Sequence, residues 1–241
     1  MKKIRKRKLN LKRILLAILL LMIFFYFANS DNEIVTSISS KKIVKHDSIS
    51  SYSGIGQEKV SNQDGYFTTF TTENGKTYKE YKQNGHSSWI ENSYWGGTMA
   101  ENGCGITSLS IILSGYNKNV TPEDLRQKYY PVLATEKISS VLTSYGVENT
   151  DFYFDSTHLS DDYIIEHLES NRPVLVCVWN KPYDNRWTTA SHYMVLLATD
   201  GNDMVYVSNP NGLENDNKSS GWYNIDEITP FLAKALFVET N

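Results

Sequence analysis

Three residues far apart in the chain could together break an acyl bond. They are Cys104, set between two glycines, His192, which opens an apolar run, and Asn209, which precedes Pro210. A thiolate is a nucleophile, an imidazole can trade its proton, and a third group must hold that imidazole in one orientation. Cys104 lies where the polar stretch Glu101-Asn102-Gly103 meets an apolar run in which Ile106, Leu109, Ile112 and Leu113 recur at helical spacing. That pattern predicts a buried helix from near Cys104 to Gly115. A thiol at a helix N-terminus faces unpaired backbone N–H groups and the positive end of the helix dipole, and both favour the thiolate. Gly103 and Gly105 also leave room for a substrate backbone. A small buried cysteine that merely starts a core helix fits the same stretch.

Five histidines are available as the base. His46 lies in a polar stalk and His86 in a turn-rich loop. His158 and His167 stand beside acids on or near a helix, which suits a solvated surface. His192 instead begins a strongly hydrophobic strand at a loop mouth, a position suited to a cleft edge and also to a strand-end residue that is simply capped. The next hairpin relates it to Asn209. If Asp200-Gly201 are the two central residues of a type I′ turn, paired residue numbers sum to 401 and His192 falls opposite Asn209. If Gly201-Asn202 are central, the sum is 403 and Asn211 takes that place. An Asn oxygen facing the ring would hold one tautomer, while a turn residue before Pro210 is the plainer role for Asn209. Oxyanion stabilisation needs N–H donors. The Cys104 backbone N–H is one, and the side-chain amides of Gln83 and Asn102 are others; Thr98 offers only a hydroxyl.

These groups must be positioned by the elements around them. Residues 65–82 predict a β-hairpin turning at Asn74-Gly75. Thr121-Pro122-Glu123-Asp124 is a helix start running to about Tyr129. Further helices fit Glu136 to Tyr145, stopped by Gly146, and the stretch capped by Ser160 to about Ser170. Short strands are expected at 152–154, 173–179, 192–199 and 202–208, then a helix at 225–234 limited by Pro230, and a closing strand at 236–239. The domain therefore reads as α+β, a helical first half packed on an antiparallel second half. Trp187, Tyr183 and Trp222 fall in loops that could flank a cleft.

Charge is unevenly spread. Eight of the 24 Lys and Arg lie in the first 30 residues, which hold no acid, leaving 16 against 27 Asp and Glu, a formal −11. So acidic a body does not suit phosphate contacts, and nucleic acid is not an expected partner. Residues 14–28 are an uncharged, apolar run behind that basic flank, which predicts a membrane anchor or a cleaved signal and export of the remaining chain. Residues 1–30 thus form the flank and anchor, 31–64 a flexible polar stalk, and 65–241 the domain, with the hairpin as a possible accessory. Cys104 and Cys177 are the two cysteines; Cys177 sits in the apolar run 174–179 and reads as an inert core thiol. No His/Cys/Glu cluster has metal-ligand spacing, and neither metal nor cofactor is expected.

With these residues in hand, the chain resembles the papain-like cysteine peptidases, in the branch related to bacterial double-glycine leader peptidases. The resemblance rests on Tyr81-Lys82-Gln83, Trp89, Thr98 to Ser108 around Cys104, Ser191-His192-Tyr193-Met194-Val195 and Asn209-Pro210, and covers about residues 78–240. It implies a papain-like fold with Cys104 as nucleophile, His192 as base, Asn209 as its orienter and Gln83 as oxyanion donor, acting on peptides or proteins. Ile106 stands where a Pro commonly follows Gly-Cys-Gly, and Asn209 where Asp is more usual. No transporter segment accompanies the motifs, so leader cleavage coupled to export is not implied. A cell-wall amidase or endopeptidase, or an acyltransferase, would use the same chemistry. A non-catalytic descendant that binds peptides or wall components is the alternative from another class.

Overall fold

The computed structural model describes residues 59–62, 65–85, 87–212 and 219–241, with side chains from residue 67 onward. The anchor segment 14–28, most of the expected stalk with His46, and His86 lie outside the described residues. Among the described residues no helix is long and apolar enough to cross a membrane.

Strands β1 (Lys59–Asn62), β2 (Gly65–Thr71) and β3 (Thr77–Tyr81) form an antiparallel three-stranded sheet. A short ribbon comes next, β4 (Ser93–Tyr94) with β5 (Gly97–Thr98). Then come five helices: α1 (Met99–Asn102), α2 (Cys104–Gly115), α3 (Pro122–Lys128), α4 (Ile138–Ser144) and α5 (Asp161–Glu169). The second half supplies β6 (Val174–Trp179), β7 (Ser191–Thr199), β8 (Met204–Ser208), β9 (Gly221–Asn224) and β10 (Leu232–Phe237). These five form an antiparallel sheet in the order β10-β6-β7-β8-β9. The architecture is α+β.

Local signals account for the helix boundaries. Thr121 caps α3 in a reciprocal capping box with Asp124, with Pro122 in the first turn, and Ser160 caps α5. Helix α2 is different, because Ile106 through Leu113 are all buried and it has no solvent face. It packs on β3 and on β7, with α3 and α4 beside it. The sheet divides two cores by strand alternation. Leu175, Val195 and Tyr206 face the α2 side. Val174, Val176, Met194, Leu196, Val205 and Val207 face the α5 side with Ile164 and Leu168. The hairpin shares the α2 core: Phe70 stacks on Tyr206 at 3.7 Å. Buried Glu80 accepts hydrogen bonds from Tyr206 Oη at 3.1 Å and Thr68 Oγ1 at 3.2 Å.

Several expectations are corrected. The helix expected at 225–234 is two 3-10 turns, Ile225–Glu227 and Thr229–Phe231, followed by β10. Pro230 has no N–H for a continuing helix, and the apolar residues after it pair with β6 instead. Strand β9 falls in a stretch expected as a loop, and residues 59–62 of the expected stalk pair with β2. The strand expected at 152–154 is a single bridge from Tyr153 to Ala235. His167 is not solvated: it is 8 % exposed, edge-on to Phe237, and burial beside Arg172 pushes its pKa down to about 4.

The packing makes two changes measurable. A Cβ on Gly115 would lie 2.1 Å from the fully buried Tyr78 ring. Gly115→Ala therefore loses about 1–3 kcal/mol to overpacking, more than the roughly 1 kcal/mol that Ala gains in a helix, and thermal melting will show a lower Tm. For His167, the unfolded chain takes up a proton near pH 6.5 that the fold refuses until about 4. Stability therefore falls as pH drops through that window, by up to roughly 3 kcal/mol. Urea unfolding of His167→Leu between pH 7 and 4 should show a flatter dependence; an unchanged slope would mean that His167 is not the titrating group.

Candidate active site

Cys104 is the first residue of α2, behind Gly103 as N-cap, which makes no side-chain capping bond. No side chain therefore caps the backbone N–H groups at the helix start, and two of them, of Cys104 and Gly105, turn to the Cys104 sulfur. A Cβ on Gly103 would lie 2.5 Å from the Met99 carbonyl oxygen, and one on Gly105 would lie 3.5 Å from the Tyr193 ring. The space at Gly103 is taken by the protein itself, so its role is close packing, whereas a Cβ at Gly105 would meet only ordinary van der Waals contact. Burial pushes the Cys104 thiol above its ordinary 9.0, and hydrogen bonding from the N–H groups of Tyr193, Gly105 and Cys104 itself offsets only part of that. The N–H groups at the helix start thus favour the thiolate, and burial opposes them. The Tyr193 N–H also sets the sulfur beside the start of β7, next along the chain from His192.

His192 is 4 % exposed, and its Nε2 lies 2.7 Å from Asn209 Oδ1. Asn209 is 1 % exposed, and its Oδ1 also accepts the Asn211 N–H at 2.9 Å. Two N–H donors converge on this atom, as befits a carbonyl oxygen, so Nε2 carries the ring proton and Nδ1 is the basic nitrogen.

The partner expected for His192 is present, but the register is not the one expected. Near His192 the pairs are Val195 with Ser208 and Leu196 with Val207, which sum to 403, and a bulge follows Leu196. Extended to His192, that register points to Asn211, and Asn209 is the diagonal neighbour on the same face. The connection is longer than two residues because Asp200 Oδ1 accepts the N–H groups of Asn202 at 2.9 Å and Met204 at 3.2 Å. An acceptor within the loop stabilises a wider turn than the type I′ geometry.

Gln83 is buried and joins the two halves of the site. Its N–H donates to the Pro210 carbonyl at 2.9 Å, and its Nε2 donates to the Ala100 carbonyl at 2.8 Å, four residues before Cys104. The Asn102 amide is instead spent on the Tyr94 and Trp95 carbonyls, both at 3.3 Å, and Thr98 caps α1. Of the loop aromatics, Trp187 is buried with Nε1 on the Glu227 carbonyl, Trp222 packs against Tyr206, and Tyr183 is fully exposed. Asn211, named as the alternative partner of His192, instead donates its N–H to Asn209 Oδ1, and sequence reasoning missed Lys82 and Ser220, both of which contact Asn209. Lys82 adjoins Gln83 in the Tyr-x-Gln motif, but nothing local to Ser220 marks it. Cys177 is a free thiol, buried and pushed up to about 11 by that burial. Among the described residues no group of three or more His, Cys, Asp or Glu could hold a metal ion.

A mixed helix and sheet fold with a cysteine at the N-terminus of its buried helix and a His–Asn pair at the adjoining strand defines a cysteine-peptidase-like protein. The model of the Peptidase_C39 like family matches residues 76–228, and the chain belongs to that family. Among solved structures it is similar to a C39-like peptidase from Bacillus anthracis. The two are 12% identical with a TM-score of 0.43, over 58% of this chain and 90% of the other. No curated protein matches.

The balance at Cys104 gives a pH prediction. With the imidazole removed in His192→Ala, only the backbone N–H groups offset burial. Iodoacetamide labelling of Cys104 in that variant should rise only above pH 9.0, later than for an ordinary thiol. Half-maximal labelling below that value would show that the helix N-terminus prevails over desolvation.

Proposed function

We propose that this chain is an extracytoplasmic cysteine peptidase that cleaves peptide bonds through Cys104, His192 and Asn209. The observation that carries the reading is the buried His192 Nε2 to Asn209 Oδ1 bond beside the strand position whose N–H reaches the Cys104 sulfur. That bond leaves Nδ1 of His192 as the base. Since burial disfavours a lone thiolate, the nucleophile arises by proton transfer from Cys104 Sγ to Nδ1, which yields a thiolate–imidazolium pair.

The thiolate attacks the substrate carbonyl carbon, and the electron pair moves onto the carbonyl oxygen. The Cys104 backbone N–H, released once the sulfur bonds to carbon and loses its negative charge, and the second Nε2 hydrogen of Gln83 stabilise that oxyanion, the first Nε2 hydrogen being committed to Ala100. Collapse expels the amine, which takes the proton from His192, and leaves a thioester on Cys104. Water, deprotonated by His192, then releases the acid and regenerates the thiol. Asn209 holds the ring throughout. The basic flank and apolar run of residues 1–28 support placement outside the cytoplasm, and the motifs around Gln83, Cys104 and His192 support peptides with double-glycine sites as substrates to try first.

The test is cleavage of a mixed peptide library enriched in double-glycine sequences, read by mass spectrometry. Wild type should cut. Cys104→Ala and His192→Ala should lose roughly all of that activity, and Gln83→Ala should lower kcat by about 10²–10³. Equal cutting by Cys104→Ala would sink the reading, as would wild-type labelling of Cys104 that rises only where His192→Ala does.

A further inference from the structure

We propose that Lys82 is a positioning residue that holds Asn209 in register with His192. The inference rests on the peptidase reading for its consequence, although its geometry stands independently. Pairing between β7 and β8 stops at Val195 with Ser208. Asn209 therefore lies beyond the ladder, where strand pairing no longer sets its backbone position. Contacts from elsewhere in the chain do so instead. Lys82 Nζ donates to the Asn209 carbonyl at 2.6 Å and to Ser220 Oγ at 3.0 Å. Ser220 Oγ in turn accepts the Asn209 N–H at 3.0 Å. One ammonium and one hydroxyl thus fix both sides of the Asn209 backbone, and the side chain between them meets His192 Nε2.

The base of the clamp is itself rigid. The Lys82 carbonyl accepts Ser87 Oγ at 2.8 Å and Trp89 Nε1 at 2.9 Å. The next residue, Gln83, binds the carbonyl of Pro210. Residues 82 and 83 thereby carry both the oxyanion amide and the support of the His–Asn pair, so one segment aligns two parts of the site. A compact ammonium on a four-carbon stem meets a carbonyl and a hydroxyl that lie in different directions, and a planar guanidinium does not reproduce that geometry. Lys82→Arg is therefore not expected to rescue the effect of losing Lys82.

The experiment uses the full chain and two readouts. The first is the rate of iodoacetamide labelling of Cys104 against pH for wild type, Asn209→Ala, Lys82→Met and the double variant. Asn209→Ala should lower the rate in the limb below pH 8 about tenfold, as loss of a hydrogen bond to a charged group does. Lys82→Met should lower it several-fold, and the double variant should be no slower than Asn209→Ala, because Lys82 acts through Asn209. The second readout is the ¹⁵N spectrum of the His192 ring in the Cys104→Ala background above pH 8, where no ion pair forms and the ring is neutral: the chain with Lys82 should show the Nε2–H tautomer and the chain with Lys82→Met a mixture.

A Lys82→Met chain identical to wild type in both readouts overturns the proposal. So does a loss that persists in full in the Asn209→Ala background, which would mark a general structural role. If wild type shows no labelling limb below pH 8, the peptidase reading fails, and the ¹⁵N tautomer alone decides the role of Lys82. If Lys82→Met does not fold, Ser220→Ala removes the hydroxyl that both Lys82 and Asn209 contact and should shift both readouts the same way, to a smaller extent.

Discussion

Helix α2 has no polar face to give to water, and the arrangement of its neighbours is set by covering it. Ile106 to Leu113 are buried on every side. The hairpin closes one side, where Gly115 lets the Tyr78 ring lie directly on the helix backbone. Strand β7 closes another, with Tyr193 against Gly105. Because both partners must approach that closely, the N-terminus of the helix emerges at the line where the helical half meets the sheet. Cys104 stands at that line. The seam is also where Gln83 reaches from the hairpin to the loop after β8.

Burial then sets the electrostatics of the site. A sulfur drawn into this seam loses water that would stabilise a thiolate, and three backbone N–H groups restore only part of the loss. The same rule keeps His167 neutral in the α5 core. What distinguishes Cys104 is its neighbourhood: an imidazole on the adjoining strand, already bonded through Nε2 to an amide oxygen. Under the peptidase reading proposed above, a thiol that resists ionising alone depends on that imidazole as proton acceptor.

Much of the fold was legible because its signals are local. Thr121-Pro122 and Ser160 announce their helices through side-chain bonds to N–H groups three residues on, and the apolar runs of β6 and β7 are unbroken. The errors fall where partners decide. The segment 225–234 has enough helical spacing to suggest a helix, yet Pro230 breaks it and its end pairs with β6 as an outer strand. Residues 59–62 look like stalk until β2 supplies their hydrogen bonds. Strand β9 exists because β8 offers an edge.

The sequence by itself determined which side chains are available and which helix carries the cysteine. Residue type and order mark Cys104, His192, Asn209 and Gln83, and these depend on short-range spacing alone. Tertiary structure decided how they meet. It moved the β7–β8 register so that Asn209 reaches His192 diagonally, because the Asp200 side chain holds a wider turn and a bulge between Leu196 and Ala198 shifts the pairing by one residue. It also filled the space at Gly103, and it brought Lys82 and Ser220 to the backbone of Asn209 from 127 and 11 residues away. Hydrogen bonds across such separations depend on where whole elements pack, and no local pattern of residues encodes that.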